Sequence, residues 1–310
     1  MKIKKVFLTG ANGYIGGSIA HLLIKKGYEV SGLIRQKELA GQLEVLGIRP
    51  VIGTIDDPEL IKREAEAADA VINTATVVDA FFIDNLIEAL KGTGKTLIHT
   101  SGSSILGTKD LGERTDFIYT EDFPLRPRFE KALWVEINNQ VLWSARQGIR
   151  SMVIVPTMVY GEGLGLRKES IQLPFLWRLA AEKGEGVYVE RGENIWSNVH
   201  IADLAELYIQ MMEKAAAGSY FYAENGEASM KDIAKDISKK MGRGEHTSSI
   251  SINEAIAFFK NADVVHFGLA SNSRCTSDKA RKLLDWQPRY TSIFEHIHGL
   301  VPKGARDLGF

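Results

Sequence analysis

Along the first half of the chain, short apolar blocks alternate with stretches of helical period. Val6-Phe7-Leu8 is flanked by lysines on one side and by a glycine turn on the other, the pattern of a strand buried on both faces of a parallel sheet. Ile15, Ile19, Leu22 and Leu23 then recur at helical spacing, and the period stops at Gly27. Further strands are expected over 29–34, weakly around Val51-Ile52, and over 70–72, 96–99 and 151–155. Helices lie between them, including a long one over about 129–147. This alternation predicts an α/β fold, a Rossmann-type doubly wound parallel sheet with helices on both faces.

After Pro156 the pattern changes. A loop is expected over 161–165, an apolar helix over 171–181, a strand over 186–190 and extended segments over 197–201 and 220–223; the last third reads as mainly helical and more polar. Residues 1–160, with a returning segment at about 196–226, form a dinucleotide-binding domain in this reading. Residues 161–195 and 227–310 form a smaller C-terminal substrate lobe.

Composition narrows the picture little. At 310 residues the chain suits one large α/β domain or a domain and a half. A net charge of -1 gives no electrostatic reason to expect nucleic acid or an anionic membrane as partner. The single cysteine, Cys275, excludes an intrachain disulfide and fits a reducing compartment. A catalytic thiol would need a lowered pKa and a positioned base, so packing is the expected role of Cys275. No apolar run approaches the length of a membrane span, and a strand beginning near residue 1 leaves no room for a signal peptide. The cytoplasm is the expected location.

The chemistry begins at Thr9-Gly10-Ala11-Asn12-Gly13-Tyr14-Ile15-Gly16, a G-x-x-G-x-x-G turn between a strand and a helix. A phosphate there must come close to backbone N–H groups at the helix N-terminus, where side chains would block it. The second strand ends in Leu33-Ile34-Arg35-Gln36-Lys37, without the acid that would take the ribose hydroxyls of NAD. Arg35 suits a 2′-phosphate, which favours NADP and leaves NAD open.

These segments resemble an extended short-chain dehydrogenase/reductase of the NAD-dependent epimerase/dehydratase group, over nearly the whole chain. Thr9 to Gly16 matches its glycine turn, which implies cofactor contacts at Gly10, Asn12, Gly13, Tyr14, Ile15 and Gly16. Gly53-Thr54-Ile55-Asp56-Asp57 resembles the segment whose aspartate, here Asp56, approaches the adenine. Val71-Ile72-Asn73-Thr74-Ala75 resembles the strand end that passes the pyrophosphate and ribose, implicating Thr74 and Ala75. Pro156-Thr157-Met158-Val159-Tyr160-Gly161 resembles the loop behind the nicotinamide, implicating Pro156 and Val159. Thr100-Ser101-Gly102-Ser103 resembles the active-site serine segment, Asn198 to Ala205 the C-terminal marker, and Leu284-Asp285-Trp286-Gln287-Pro288 the closing motif.

One part of the pattern is broken. The family's chemistry uses a tyrosine hydroxyl, a lysine four residues later and a serine, yet no tyrosine here has a lysine at that spacing. Aligned on Glu136, the tyrosine position holds Arg128 and the lysine position Ala132; the serine position falls on Gly102, between Ser101 and Ser103. Three meanings stay open: a replaced acid, chemistry that needs no tyrosine, or dinucleotide sensing without catalysis. The candidate catalytic groups are Ser101, Ser103, Tyr119 and Lys131, with Tyr160 near the nicotinamide loop. Loop packing of Tyr119 and a solvated Lys131 are the plainer alternatives.

His200 stands in the marker segment and is expected to pack or hydrogen-bond at a helix start. His296 and His298 lack a companion cluster at ligand spacing, so no metal is expected. Phe175, Trp177, Tyr188 and Trp196 could line an apolar pocket or simply fill a core. Trp196 stands where sugar-nucleotide enzymes of the group often carry arginine, which argues against a sugar diphosphate. The resemblance implies a homodimer through the helices near 82–90 and 129–147. The reading is an NADP(H)-dependent oxidoreductase of a small, fairly apolar carbonyl or conjugated substrate. The alternatives are a redox-neutral epimerase, dehydratase or isomerase with bound cofactor, and a non-catalytic dinucleotide sensor.

Overall fold

The apolar blocks become neighbouring strands of one sheet in the computed structural model, which describes residues 3–300. In chain order the strands are β1 (Lys5–Thr9), β2 (Glu29–Ile34), β3 (Ile48–Ile52), β4 (Ala70–Asn73), β5 (Thr96–Thr100), β6 (Arg150–Pro156), β7 (Met158–Tyr160), β8 (Gly186–Val189), β9 (Ile195–His200), β10 (Ser219–Ala223), β11 (Glu227–Ser229) and β12 (Thr247–Ile250). The helices are α1 (Tyr14–Lys25), α2 (Ala40–Val45), α3 (Pro58–Ala67), α4 (Ala80–Leu90), α5 (Ala132–Trp143), α6 (Gln172–Lys183), α7 (Ile201–Lys214), α8 (Met230–Lys240), α9 (Ile252–Phe259), α10 (Ala262–Val264), α11 (Asp278–Leu284) and α12 (Ile293–Gly299).

The main sheet has seven strands in the order β10-β6-β5-β4-β1-β2-β3, all parallel. The order reverses between β1 and β4, so the crevice for a ligand lies beyond the C-terminal ends of those strands. Alternation sorts β1 between two cores. Val6 and Leu8 face a cluster with Ile19 and Leu23 of α1 and Leu204 and Tyr208 of α7. Phe7 faces the other, with Ile61 of α3, Leu86 of α4 and Ile137 and Val141 of α5. Each such fully buried side chain contributes about 1.5–3 kcal/mol relative to exposure.

A third cluster forms the smaller lobe, from Leu176 of α6, Val187 of β8, Ile233 and Ile237 of α8, Ala255 of α9 and Ile297 of α12. Trp177, Tyr188 and Trp196 belong there. Trp196 is buried with its indole N–H donating to Ser271 O at 2.7 Å, and Phe175 stacks on Phe259.

Four expectations change. The long helix over 129–147 is α-helical only from Ala132 to Trp143, with a 3₁₀ turn at each end, and Gly148 in the left-handed region closes it. The segment 156–161, expected as a loop, contains β7, which pairs with β9. The last third is mainly helical as expected, but two short strands are added, β11 beside β9 and β12 beside β8. Within 227–310, assigned to the lobe, Ala280, Leu284 and Trp286 instead join the α1–α7 core, and the Trp286 indole donates to Asp203 O at 3.1 Å.

Helix starts separate structural from ligand-facing ends. Asp57 caps α3 by accepting from Leu60 N at 3.0 Å, and Asp79 caps α4 by accepting from Phe82 N at 2.9 Å. At α1 the cap position is Gly13, with no side-chain cap and no acid in the first turn. Its N–H groups and dipole are left for an anion.

Candidate active site

The turn after β1 is shaped by backbone contact with β4. Gly10 has φ +75°, and a Cβ on it would lie 2.9 Å from Thr74 Oγ1. A Cβ on Gly16 would lie 2.3 Å from Gly10 O. Thr74 donates its hydroxyl to Thr9 O at 2.6 Å, and Gly13 N donates to Gly10 O at 2.9 Å. The result is a bare cradle against an uncapped helix, which fits a dinucleotide pyrophosphate. Ile15 packs against the α1–α7 core, and the Tyr14 hydroxyl donates to Gly161 O at 2.8 Å. Burial raises the Tyr14 pKa, so the hydroxyl stays a donor that ties the loop after β7 to α1.

Around the cradle, Arg35 follows β2, is exposed and has no ion pair among the described residues. Asn12 donates to Gln36 Oε1 at 2.9 Å. Asp56 is exposed beyond β3, while Asp57 beside it is engaged as the cap of α3. Ala75 N donates to Asn73 Oδ1 at 3.0 Å, and Asn73 also accepts from Thr9 Oγ1 at 2.8 Å. Asn73 Nδ2 lies 3.0 Å from His99 Nδ1, and burial lowers the His99 pKa to about 4, so the ring is neutral. Pro156 is buried at the end of β6 and Val159 is partly buried in β7; Thr157 between them donates its hydroxyl to Ala223 O at 2.7 Å.

Beyond β5 the construction differs. Ser101 N donates to Ile154 O at 2.8 Å, and Ser101 Oγ accepts from Asn138 Nδ2 of α5 at 2.9 Å. Ser103 is buried; its carbonyl accepts from Ser273 Oγ at 2.8 Å, while its own Oγ has no partner among the described residues. Gly102 faces the Trp134 ring, where a Cβ would come within 3.2 Å of it.

Arg128 and Ala132, expected at the family's tyrosine and lysine positions, are both exposed, and Arg128 donates to Thr108 O at 2.5 Å. Lys131 is 1% exposed and donates to both carboxylate oxygens of Asp263 at 2.8 Å. Its ammonium also lies 4.1 Å from the Trp134 ring centre and 4.8 Å from that of Phe267. Neither a solvated lysine nor one free for a ribose is what the structure shows: the one-residue offset from the lysine position turns this side chain into the C-terminal lobe.

Tyr119 is bridged to the lobe, its N–H donating to Arg274 O at 2.9 Å and its carbonyl accepting from Thr276 N at 3.0 Å. Its ring packs edge-on against Phe117 and Phe123, and burial followed by the charge of Asp110 raises its pKa. The structure therefore gathers Ser101 and Ser103 with α5, and sets Tyr119 and Lys131 where loop, helix and lobe meet. Tyr160 is buried, with its hydroxyl donating to Tyr290 O at 3.3 Å and its pKa raised by burial.

His200 caps α7 through Nδ1, which accepts from Ala202 N at 3.2 Å, and stacks on Tyr290; burial first, then His296 and Arg289, lowers its pKa to about 4. His298 bonds Asp236 at 3.0 Å, and among the described residues no three His, Cys, Asp or Glu side chains gather to hold a metal. Burial pushes the Cys275 thiol well above its ordinary pKa. No helix among the described residues is long and apolar enough to cross a membrane.

Asn138, Asn73, His99 and Asp263 were not singled out from sequence. Asn138 had a signal: it shares a helical face with Trp134, Ile137 and Val141, so an amide on an apolar stripe marks a buried partner.

A reversed-order parallel sheet with a bare glycine cradle at its switch point defines a Rossmann-type dinucleotide-binding fold carrying a smaller C-terminal lobe. The profile of the NAD dependent epimerase/dehydratase family matches residues 6–221, and the chain belongs to that family. An uncharacterised protein of Schizosaccharomyces pombe is 30% identical over 94% of this chain and 98% of its own length. An oxidase, ucsJ, of an Acremonium species is 28% identical over 99% of each chain. More distant relatives are named as a ketoreductase and as 2-alkyl-3-oxoalkanoate reductases. Among solved structures, the dTDP-glucose 4,6-dehydratase of Bacillus anthracis in complex with NAD superposes with a TM-score of 0.75 at 16% identity, covering 98% of this chain and 96% of that one. That likeness speaks for the fold alone.

Proposed function

We propose that the protein is an NADP(H)-dependent oxidoreductase acting on a small, fairly apolar carbonyl or conjugated substrate. The observation that carries this reading is the pair of buried serine hydroxyls just beyond β5, two strands from the cradle. They can polarise a carbonyl oxygen where the family tyrosine is missing. A bound nicotinamide supplies or accepts the hydride. Gly10, Gly13 and Gly16 admit the pyrophosphate, Arg35 takes the 2′-phosphate, Asp56 faces the adenine, and Asn12, Tyr14, Ile15, Thr74, Ala75, Pro156 and Val159 shape the remaining walls. Tyr119, whose hydroxyl has no hydrogen bond among the described residues, is the proposed proton donor. Lys131 ties the start of α5 to α10 through Asp263 and so positions the wall beside the serine segment.

The names of the oxidase and reductase relatives support redox chemistry, and the buried Trp196 leaves no cation at that position for a sugar diphosphate. Phe81 on α4 is 84% exposed, and Leu133 and Trp143 on α5 are exposed as well, surfaces that a homodimer would cover. The cytoplasm is the proposed location.

The test is binding of NADPH, NADP, NADH and NAD to the purified protein by calorimetry, followed by NADPH oxidation over a panel of enones, aldehydes, ketones and imines. Preferential NADPH binding with turnover of one class is the expected result. Tight binding with no turnover on the whole panel would overturn the reductase reading in favour of redox-neutral chemistry or sensing.

A further inference from the structure

The amide of Asn138 is an unusual thing to bury on α5. Asn138 is 2% exposed and its helical neighbours Ile137 and Val141 are buried apolar residues. An amide in such a face is costly when its polar atoms are left unpaired. Only half of that cost is offset by a partner: Nδ2 donates to Ser101 Oγ at 2.9 Å, while Oδ1 has none among the described residues. Ser101 cannot drift from this contact. Its N–H is held by Ile154 O at 2.8 Å, which extends the β5–β6 ladder by one residue, and the residue is 4% exposed.

A serine hydroxyl has one proton to give and two lone pairs to accept with. Asn138 fills a lone pair and cannot take the proton through the same nitrogen. We infer that Asn138 is a positioning residue that reserves the Ser101 proton for the carbonyl oxygen of a substrate. The inference deepens the oxidoreductase reading and rests on it for the identity of the acceptor. The orphaned Oδ1 and the unpartnered Ser103 Oγ mark the same end of β5 as a polar seat waiting for a ligand. Asn138 itself does not touch the substrate; it acts through Ser101.

The proposal has a signature that loss of packing lacks. In Asn138→Asp, a carboxylate can only accept, so the Ser101 hydroxyl donates its hydrogen bond to it and has none left for a substrate. The neutral acid, formed as pH falls, can donate to Ser101 Oγ and restore it. The experiment uses the protein saturated with NADP or NADPH, with pentane-2,4-dione as probe. Turnover is followed by NADPH oxidation and affinity by calorimetry on the NADP complex, from pH 6 to 9.

At pH 9, Asn138→Asp should lose about tenfold in kcat and in diketone affinity, matching Ser101→Ala. Burial beside Ile137 and Val141 raises the pKa of the introduced carboxyl towards this range, so activity should recover towards wild type as pH falls to 6, with NADPH affinity unchanged throughout. A pH profile parallel to wild type overturns the proposal. Should the aspartate variant fold poorly, Asn138→Ala decides instead: combined with Ser101→Ala it should add no further loss, and additive losses overturn the proposal. Diketone binding with the expected pH profile but no NADPH oxidation refutes the reductase reading and leaves the serine seat standing. Turnover untouched by Asn138→Asp does the reverse, and no diketone binding to the wild-type complex refutes the seat.

Discussion

The cradle at the end of β1 and the serine segment at the end of β5 share one edge of one sheet, yet they are held in opposite ways. The cradle is backbone against backbone: Gly10 touches Thr74, Gly16 touches Gly10, and a glycine is needed wherever a Cβ would collide. Its surroundings present groups without partners among the described residues, Arg35 and the first N–H groups of α1. The serine segment is side chain against side chain. Asn138 holds Ser101, Trp134 covers Gly102, and Asp263 holds Lys131 across two lobes. A backbone site tolerates almost no substitution and keeps its motif. A side-chain site can be rebuilt one contact at a time.

The largest effect should come from filling the cradle. In Gly16→Val the added carbons enter the space between Gly10 O and Thr74 Oγ1, and NADPH affinity should fall at least 100-fold, about 2.7 kcal/mol. Calorimetry measures it, with circular dichroism to show that the fold persists. Affinity within threefold of wild type would mean that the dinucleotide does not sit on α1.

Breaking the side-chain half should register as stability. Asp263→Ala leaves the buried Lys131 ammonium without its carboxylate; isolated buried charges cost about 3–5 kcal/mol, and the half-exposed Asp263 brings the expectation down to about 2 kcal/mol in urea unfolding. Lys131→Met removes the charge but keeps the stem between Trp134 and Phe267, and should cost less than half as much. Equal costs would show that packing, not charge, joins the lobes here.

The same contrast explains what could be read in the sequence. β2 falls on Glu29–Ile34 as expected, and the α1 start follows from Gly13, because both are set by residues close together in the chain. The glycine turn was legible for the same reason. Ser101 meets Asn138 across 37 positions and Lys131 meets Asp263 across 132, so no local period announces either contact. The helix over 129–147 is shorter than expected because a 3₁₀ turn stands at each end, Phe129–Lys131 and Ser144–Gln147, and residue spacing alone does not show the tighter turn.

Two single-residue changes probe each half at a finer level. Arg35→Ala should weaken NADPH about 10- to 30-fold and leave NADH within twofold, since a charge-assisted pair to phosphate contributes about 1.5–3 kcal/mol before solvent weakens it. Calorimetry with both nucleotides checks it, and equal losses would remove the phosphate role. Tyr119→Phe should lower kcat about tenfold, 1.4 kcal/mol of barrier, with KM unchanged. Undiminished turnover would leave the serine hydroxyls as the proton donors and Tyr119 as part of the Phe117–Phe123 cluster.

The smallest effect belongs to Glu121, on the same loop as Tyr119. Its Oε1 accepts from Tyr222 N at 3.5 Å on the edge strand β10. Burial pushes its pKa up from 4.5 to about 7; the backbone N–H groups of Glu121 and Tyr222 and the charge of Lys279 pull it back, and Asp122 raises it. Between those two values the folded state therefore holds a proton that the unfolded chain has released, so this group's contribution to stability falls as pH rises through the window. Glu121→Gln keeps an acceptor for Tyr222 N and removes the titration. Relative to this variant, the wild type should lose about 1 kcal/mol between pH 5 and pH 8, a modest figure because the carboxyl keeps some contact with solvent. Parallel urea-unfolding curves for the two proteins at both pH values would mean that the carboxyl titrates as it does in water, and that the loop is held by its aromatic cluster and the Tyr119 backbone bonds to Arg274 and Thr276.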